Sequence, residues 1–333
     1  MPLLDVNNLR VDLPVEAGML HAVRGIDFHV ERGEMLCLVG ESGCGKSMTS
    51  LALMGLLPRK ARLSADRLEF DGTDLATLSE RRRSDLRGAR MAMIFQEPMT
   101  ALNPAYTLGN QLCEGLIRHR GVSRREARER AIYLLGRVGI SAAKERLDQY
   151  PHQLSGGLRQ RVMIAMALMC EPDLIIADEP TTALDVTIQA QILRLLRELQ
   201  QEFGTAVIFI THDLGVVARI ADRVAVMYAG EVIESAPTPA LYAAPGHPYT
   251  RGLLSCIPTP GRTLPGSRLQ AIPGVVPSLV GDVKGCAFRN RCPQAQPTCE
   301  RTPPLMSLPG DHRARCHFAD RPVPAPRQPE TMS

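Results

Sequence analysis

The sequence predicts an α/β fold, in which helices cover a mainly parallel sheet and a small irregular segment follows at the C-terminal end. Up to about residue 235, short apolar runs alternate with longer amphipathic stretches, the pattern of a parallel sheet with helical crossovers. Proline divides the chain: 8 of the 26 prolines precede residue 235 and 18 follow it. Because proline interrupts regular structure, the two parts are expected to fold differently.

The individual elements follow from length and apolar spacing. Short apolar runs predict buried strands at Met35–Val39, Met91–Phe95, Leu174–Ala177, Ala206–Ile210 and Arg223–Met227. Helical spacing over longer stretches predicts helices at Arg124–Val138, Leu158–Met169 and Ile188–Phe203. Two strand-like segments near the N-terminus predict an antiparallel edge at Leu4–Val11 and Met19–Val30.

Three regions are predicted along the chain. Residues 1–257 form the main domain, with a helical subdomain at about 97–170. Residues 258–320 form a Pro-rich regulatory or metal-binding extension, and residues 321–333, which are Pro-rich and polar, form a disordered tail. The extension has too little apolar periodicity for a core of its own. It must therefore dock on the main domain or be held by a staple, which means a bound metal or a covalent cross-link.

Composition excludes several classes of protein. A net charge of +4, from 39 basic and 35 acidic residues, is too balanced for a nucleic-acid footprint, so no nucleic-acid partner is expected. No stretch approaches the ~18 consecutive apolar residues that a membrane span requires. The N-terminus lacks the pattern of a secretory signal. We therefore expect a soluble chain in a reducing compartment, where cysteines do not form a disulfide framework.

A phosphate-binding loop is predicted at Gly40–Ser47, whose sequence GESGCGKS matches G-x-x-x-x-G-K-[ST] between a strand and a helix. The glycines let main-chain N–H groups turn toward a phosphate, and the helix N-terminus favours negative charge. Lys46 is expected to neutralise the β- and γ-phosphates of ATP, and the Ser47 hydroxyl to bind Mg²⁺. The predicted nucleotide-binding residues are Gly40, Ser42, Gly43, Cys44, Gly45, Lys46, Ser47 and Met48.

Two acids end the predicted strand Leu174–Ala177. Asp178 is expected to hold Mg²⁺, and Glu179 to polarise the attacking water as the catalytic base. Alone, an apolar strand ending in Asp-Glu is a weak signal. It gains weight because a parallel sheet would bring this strand end beside the phosphate loop.

A third motif, Leu154–Gln160 with the sequence LSGGLRQ, precedes an amphipathic stretch. Ser155 is a natural helix N-cap, and Gly156 and Gly157 permit close main-chain approach to an anion; a capped helix after a loop is the simpler alternative. The motif resembles the signature of ABC-transporter ATPases. The family's other motifs follow in order, with Gln96 as the Q-loop, Ala183-Leu184-Asp185 as the D-loop and His212 as the switch histidine.

This resemblance implies a P-loop NTPase fold of the ABC type, with a parallel core sheet, an antiparallel edge subdomain and a helical subdomain. It also implies an ATPase that works as a head-to-tail pair. Each ATP then lies between the Gly40–Ser47 loop of one subunit and the Ser155–Gly157 loop of the other. Gln96 would contact Mg²⁺ and the water, His212 would contact the γ-phosphate, and Asp185 would communicate across the dimer.

A narrower resemblance covers roughly residues 3–318. The segments that carry it are similar to the dipeptide/oligopeptide importer branch, which also includes nickel importers: Phe95–Pro104, Tyr150–Gly157, Asp178–Gln189 and His247–Thr250. It implies ATP-driven import of dipeptides or oligopeptides, with nickel or another small solute as the alternative cargo. It also implies two membrane permeases, an external solute-binding protein and a second ATPase subunit, a heterodimer being favoured over a homodimer.

The same resemblance places the chain at the cytoplasmic face of the inner membrane, as a peripheral subunit. The segment Glu97–Leu112 is expected to receive the permease coupling helix. A soluble ABC-type ATPase acting in DNA repair or translation is the alternative, but such proteins usually carry a coiled-coil insertion or a second cassette, and this chain has neither. One departure concerns adenine: the family usually stacks it on an early aromatic ring, and Leu13 stands near the expected place.

Four cysteines crowd into the extension with the spacing C-x₅-C-x₆-C-x₁₆-C, at Cys286, Cys292, Cys299 and Cys316. Four thiolates can hold a [4Fe–4S] cluster, whereas zinc could use His312 or His317 as substitute ligands, and the absence of any metal is the third possibility. Resemblance to dipeptide-type ATPases with the same tail favours the iron–sulfur cluster. We therefore expect a structural [4Fe–4S] cluster as the staple, with Zn²⁺ as its alternative.

Overall fold

The computed structural model describes residues 1–181, 185–257 and 271–320. The strands are β1 (Leu4–Val15), β2 (Gly18–Val30), β3 (Met35–Val39), β4 (Arg62–Ser64), β5 (Arg67–Phe70), β6 (Thr73–Asp74), β7 (Met91–Ile94), β8 (Leu174–Asp178), β9 (Ala206–Thr211), β10 (Arg223–Tyr228), β11 (Glu231–Pro237), β12 (Leu305–Leu308) and β13 (His312–Arg315). The helices are α1 (Lys46–Met54), α2 (Glu80–Leu86), α3 (Pro98–Ala101), α4 (Leu108–Arg120), α5 (Arg124–Arg137), α6 (Ala143–Arg146), α7 (Gly156–Ala167), α8 (Val186–Phe203), α9 (Leu214–Ile220), α10 (Thr238–Ala243) and α11 (Pro248–Ser255).

The core of the protein is an eight-stranded sheet in the order β12-β13-β11-β10-β3-β9-β8-β7. Its five strands from β10 to β7 are parallel. Strand β3 lies between β10 and β9, and all five of its residues are buried. Burial on both faces is why the central strands read as continuous apolar runs. The predicted α/β fold with a parallel core sheet is confirmed.

A second, antiparallel sheet covers one side of this core. Strands β2, β1, β5 and β6 are adjacent in that order, and β4 also pairs with β1. The predicted edge is therefore present, and its first strand extends to Val15. Its apolar face packs with α1 and the central strands in one hydrophobic cluster that includes Leu4, Leu36, Leu53 and Ile176.

A helical region packs on the other side, where α4, α5 and α7 contact one another. Helix α5 begins at a capping box: Ser123 Oγ accepts from the Glu126 main-chain N–H at 3.3 Å, and the Glu126 carboxylate accepts from the Ser123 main-chain N–H at 2.8 Å. Leu112, Leu134 and Ile164 join the helices in the main hydrophobic cluster. Within the described ranges, no helix is both long and apolar enough to cross a membrane.

The C-terminal segment docks onto the main domain. Strands β12 and β13 form a hairpin, and β13 pairs with β11 through Glu234–Ala314 and Ser235–Arg313. The hairpin thus extends the core sheet, which is the docking that the low apolar periodicity of this segment requires. The predicted domain boundaries stay predictions, and the predicted disordered tail, residues 321–333, lies outside the described residues, as do residues 258–270.

A buried carboxylate secures this docking. Glu234 on β11 is fully buried and accepts hydrogen bonds from the main-chain N–H groups of Gly246 at 2.5 Å and His247 at 2.9 Å. Its Oε1 also lies 2.7 Å from Nε2 of His312 on β13. One side chain therefore joins β11, the segment before α11 and the C-terminal hairpin, and its polar oxygens are satisfied as burial demands.

Candidate functional site

The phosphate loop Gly40–Ser47 lies between the buried strand β3 and helix α1. Gly45 has a φ of +104°, and a Cβ there would lie 2.5 Å from the carbonyl oxygen of Ala22, so only glycine fits. Of the other predicted loop residues, Ser42 and Gly43 are exposed, Cys44 is buried, and Met48 is half-buried against the antiparallel sheet's apolar cluster. The loop therefore exposes main chain, as an anion-binding turn does.

Lys46 is held by the loop's own carbonyls. Its side chain is buried, and Nζ donates to the carbonyl oxygens of Gly40 at 2.7 Å and Glu41 at 3.0 Å. Burial raises the pKa of the neighbouring Cys44 thiol, and the Lys46 ammonium opposes that rise. The ammonium is thus a fixed positive charge at the base of the loop.

Asp178 at the end of β8 faces the first turn of α1. Its two carboxylate oxygens accept from Ser47 Oγ at 3.2 Å and from Ser50 Oγ at 3.3 Å. Burial is the main cause that raises the pKa of the Asp178 carboxyl, and hydrogen bonds from the two serines lower it. These oxygens are the hard ligands that Mg²⁺ prefers, and a cation would offset the cost of burying the carboxylate. Sequence reasoning missed Ser50, although it lies three residues after Ser47 on the same helical face.

The three predicted catalytic residues, Gln96, Glu179 and His212, lie close together just beyond the end of β8. Glu179 Oε2 accepts from Gln96 Nε2 at 3.3 Å and lies 3.4 Å from His212 Nδ1. The Glu179 side chain is 12% exposed and that of His212 is 55% exposed, so the cluster opens to solvent on the His212 side. Glu179 also has a φ of +44°, a strained conformation that is frequent at functional sites.

The predicted signature loop lies on the helical region. Ser155 and Gly156 are exposed, and Ser155 is the N-cap of α7, although its side chain makes no capping hydrogen bond. A Cβ on Gly157 would lie 3.2 Å from Cγ2 of Ile188. The loop thus faces solvent with an uncommitted hydroxyl at a helix N-terminus.

Asp185 is the one predicted D-loop residue within the described ranges. It is exposed and caps α8, because its Oδ1 accepts from the Ile188 main-chain N–H at 2.9 Å. Ile188 is also the neighbour of Gly157, so the cap and the signature loop are adjacent. The other predicted D-loop residues, Ala183 and Leu184, lie outside the described residues.

The region expected near adenine contains no early aromatic side chain. Leu13 pairs with Leu20 in the β1–β2 hairpin and is half-buried against the same apolar cluster as Met48. The C-terminal segment also reaches this hairpin, because Leu20 forms a β-bridge with Val280. That Leu13 stands near the adenine stays a prediction.

The predicted metal site requires a correction. All four cysteines are free thiols that line one small cavity, at Cys286, Cys292, Cys299 and Cys316. Among the residues that the structure describes, however, no group of three or more Cys, His, Asp or Glu side chains could hold a metal ion. The expectation of a [4Fe–4S] cluster is therefore wrong, and its zinc alternative has no support.

A metal here would have to compete with two features of these side chains. Burial raises the pKa of Cys286 to about 11 and also raises the pKa of Cys292 and Cys316, so a metal would have to displace their protons. Both histidines have other partners: His312 faces Glu234, and His317 Nε2 lies 3.1 Å from the carbonyl oxygen of Arg301. The segment is held by strand pairing.

Two family models match the chain. The ABC transporter family matches residues 23–182, and the C-terminal region of oligopeptide/dipeptide transporters matches residues 233–299. The first match spans the phosphate loop, the signature loop, Asp178 and Glu179. The second begins within β11 and ends in the cysteine-rich segment.

Curated relatives align over almost the whole chain. The dipeptide transport ATP-binding protein DppD of Bacillus subtilis (strain 168) is 50% identical over 320 residues, 96% of this chain and 95% of that protein. DppD of Escherichia coli (strain K12) is 50% identical over 319 residues, 96% and 97% of the two chains. A probable peptide ABC transporter ATP-binding protein of Sinorhizobium fredii is 52% identical over 316 residues, 94% of each.

Solved structures agree with the fold. The dimeric structure of the bacterial ABC transporter cassette MJ0796 aligns with a TM-score of 0.64 and 29% identity, over 71% of this chain and 98% of that one. The cbiO1 protein of Clostridium perfringens, part of the ABC transporter complex cbiONQ, aligns with a TM-score of 0.61 and 30% identity. The alignment covers 73% of this chain and 91% of that one. This chain belongs to the ATP-hydrolysing subunits of the ABC transporter family, in the group that carries the oligopeptide/dipeptide transporter C-terminal region.

Proposed function

We propose that this chain hydrolyses ATP to energise the import of dipeptides or oligopeptides as the ATP-binding subunit of an ABC importer. The choice of peptides as cargo rests on one observation. The chain is 50% identical to dipeptide transport ATP-binding proteins, and the similarity includes the C-terminal region. That region begins within β11 and lies beyond residues 23–182, which the ABC transporter model matches. Nickel or another small solute is the alternative cargo.

The phosphate loop is proposed to bind the nucleotide through the main chain of Gly40, Ser42, Gly43, Cys44, Gly45, Lys46, Ser47 and Met48. The Lys46 ammonium, already held at the base of the loop, offsets the charge of the β- and γ-phosphates. Ser47, Asp178 and Gln96 would hold Mg²⁺, which when bound neutralises the charge that develops on the phosphate oxygens. The hydrogen bond between Ser47 and Asp178 supports this ligand set.

Glu179 is proposed as the general base. Gln96 and His212 both lie within 3.4 Å of the same carboxylate oxygen, Oε2, so they are placed to orient a water beside it. Glu179 would take the proton of that water as it attacks the γ-phosphate. Because the phosphoryl transition state is loose, most of the catalytic effect should come from positioning and charge.

A complete site is proposed to need two subunits. Ser155 and Gly156 are exposed at the start of α7, and Gly157 follows them, which suits this loop to contact the nucleotide of a partner subunit. Asp185 lies beside them through Ile188, so a movement of the signature loop would reach the D-loop directly. A heterodimer with a similar ATPase is proposed over a homodimer.

The membrane partners would be two permeases, supplied with solute by an external binding protein. The segment Glu97–Leu112 is proposed to receive the permease coupling helix, and it exposes Met99 at 65% and Tyr106 at 54%. Large exposed apolar side chains are typical of such contact surfaces. The chain would then be a peripheral protein at the cytoplasmic face of the inner membrane.

Affinity purification from detergent-solubilised membranes tests this proposal. The tagged chain should retain two integral membrane proteins and a second ATPase, identified by mass spectrometry. Reconstituted with its binding protein in proteoliposomes, the complex should take up a labelled dipeptide only with ATP, and Lys46→Ala should abolish uptake. Uptake of nickel and no peptide would overturn the cargo, and a chain that retains no membrane protein would overturn the importer role.

A further inference from the structure

An ion pair with a buried arginine joins the C-terminal segment to the phosphate loop. The Arg291 guanidinium donates through both terminal nitrogens to the Glu41 carboxylate, at 2.6 Å and 2.9 Å. Glu41 is the second residue of the loop. The Arg291 side chain is 4% exposed and that of Glu41 is 31% exposed, so water screens this pair little on the arginine side. Two parallel charge-assisted hydrogen bonds fix both distance and orientation.

The C-terminal segment fixes the position of the guanidinium independently of the loop. Arg291 Nε donates to the carbonyl oxygen of Pro273 at 3.1 Å, and Nη2 donates to that of Ile272 at 3.2 Å. Gly274 has a φ of +88°, and a Cβ there would lie 3.0 Å from Arg291 Cγ, so the chain closes tightly around this side chain. The guanidinium carbon also lies over the rings of Tyr228 at 5.7 Å and Phe288 at 5.9 Å.

Glu41 is in turn tied to the charge that the loop presents. Its carbonyl oxygen is one of the two that accept from Lys46 Nζ. Its main-chain N–H donates to the hydroxyl of Tyr249, a fully buried side chain on α11, at 3.0 Å. The main-chain and side-chain groups of Glu41 are therefore all engaged, and Glu41 is one of the two residues that hold the Lys46 ammonium.

We propose that Arg291 is a positioning residue of the phosphate loop, through which the C-terminal segment sets the affinity for ATP. The inference rests on the proposed role of Gly40–Ser47 in binding the nucleotide. Arg291 has a second effect on that site: it neutralises a carboxylate that the loop would otherwise carry beside an anionic ligand. Without Arg291, Glu41 would both lose its anchor and repel the phosphates.

ATP affinity of the purified full-length protein, measured by calorimetry alongside the melting temperature, tests this role. Arg291→Ala should weaken ATP binding about tenfold or more, the scale of a lost charge-assisted hydrogen bond. Adding Glu41→Gln to that variant should restore affinity to within about threefold of the parent, because it removes the unpaired charge. A matched control is Arg289→Ala: Arg289 is a half-buried arginine of the same segment that donates to the carbonyl oxygen of Lys284 at 2.6 Å, and its loss should leave ATP affinity unchanged.

Two results would overturn the proposal: an Arg291→Ala protein that binds ATP within twofold of the parent, or a double variant that binds no better than Arg291→Ala. If Arg291→Ala does not fold, Arg291→Lys decides, because it keeps the charge and loses the two-pronged contact. It should bind ATP about threefold more weakly, and parental affinity would refute the role. These experiments measure binding and not hydrolysis. A parent protein that binds ATP without hydrolysing it would therefore overturn the proposed function, but the ATP affinities of parent and variants could still be compared.

Discussion

Replacing Glu179 by glutamine removes one negative charge from the cluster that it forms with Gln96 and His212. The amide has almost the shape of the carboxylate, so the 3.3 Å and 3.4 Å contacts around Oε2 can be replaced by contacts of similar geometry. Lys46 and Asp178 are untouched. The Glu179 side chain is 12% exposed, and a neutral group there has less desolvation to offset, so the melting temperature should not fall.

The expected loss is catalytic. Removal of a general base costs about 10²- to 10⁴-fold in turnover, which corresponds to roughly 3–5 kcal/mol of transition-state stabilisation. ATP affinity should stay within about threefold of the parent, because the phosphate loop and the residues proposed to hold Mg²⁺ are intact. If two subunits complete each site, as proposed, the ATP-bound dimer should persist, because the γ-phosphate that both loops would contact is no longer removed.

A steady-state phosphate-release assay at saturating ATP, with ATP affinity measured on the same preparation, checks this. Glu198→Gln is a matched control, because Glu198 is an exposed carboxylate on α8 and its substitution should leave turnover unchanged. Turnover of Glu179→Gln within about threefold of the parent would remove Glu179 from the base role. Collapse of ATP affinity in that variant would instead give Glu179 a part in binding.

Three further predictions concern other parts of the molecule. Ser155→Arg should abolish hydrolysis while ATP affinity of the dilute monomer stays within threefold, because the signature loop would serve the partner's nucleotide; loss of monomer affinity contradicts this. Ser47→Ala should raise the Mg²⁺ concentration for half-maximal ATPase about tenfold by removing one oxygen ligand, and an unchanged Mg²⁺ titration would argue against that ligand. Burial lowers the pKa of His247 to about 4 from an unfolded value near 6.5, so its stabilising effect is full above pH 6.5 and declines toward pH 4, by at most about 3 kcal/mol. Urea unfolding should show that decline, and His247→Gln should reduce it.

The parts of the fold that could be predicted are those that local sequence determines. Strand β3 has the predicted bounds because all five of its residues are buried, which leaves an uninterrupted apolar run. Helix α5 begins one residue after Ser123, the first residue of a Ser-x-x-Glu capping box, a signal contained in four residues. The pairing of β11 with β13 was not predicted, because it joins residues far apart in the sequence, such as Glu234 and Ala314.

The candidate site also has one part that local sequence predicts and another part that it does not. The phosphate loop, Asp178 and Glu179 carry recognisable local patterns, and the parallel sheet accounts for their proximity. The pair of Glu41 and Arg291 joins residues 250 positions apart, and a single arginine in a Pro-rich segment gives no periodic signal. For the cysteines the error is the reverse: the sequence predicted a metal site that the structure does not support. Spacing along the chain cannot show whether side chains converge on a metal.

The C-terminal hairpin is synthesised long after β11, the strand with which it pairs. Glu234 on β11 pairs with Ala314, which is synthesised 80 residues later. At about 5–20 residues per second, the ribosome delivers the partner strand roughly 4–16 s after β11 has emerged. During that interval the growing sheet has an open edge, and its buried carboxylate lacks His312. An open edge is a template for pairing with other chains, so nascent chains of this protein should be especially dependent on chaperones until β13 has been made.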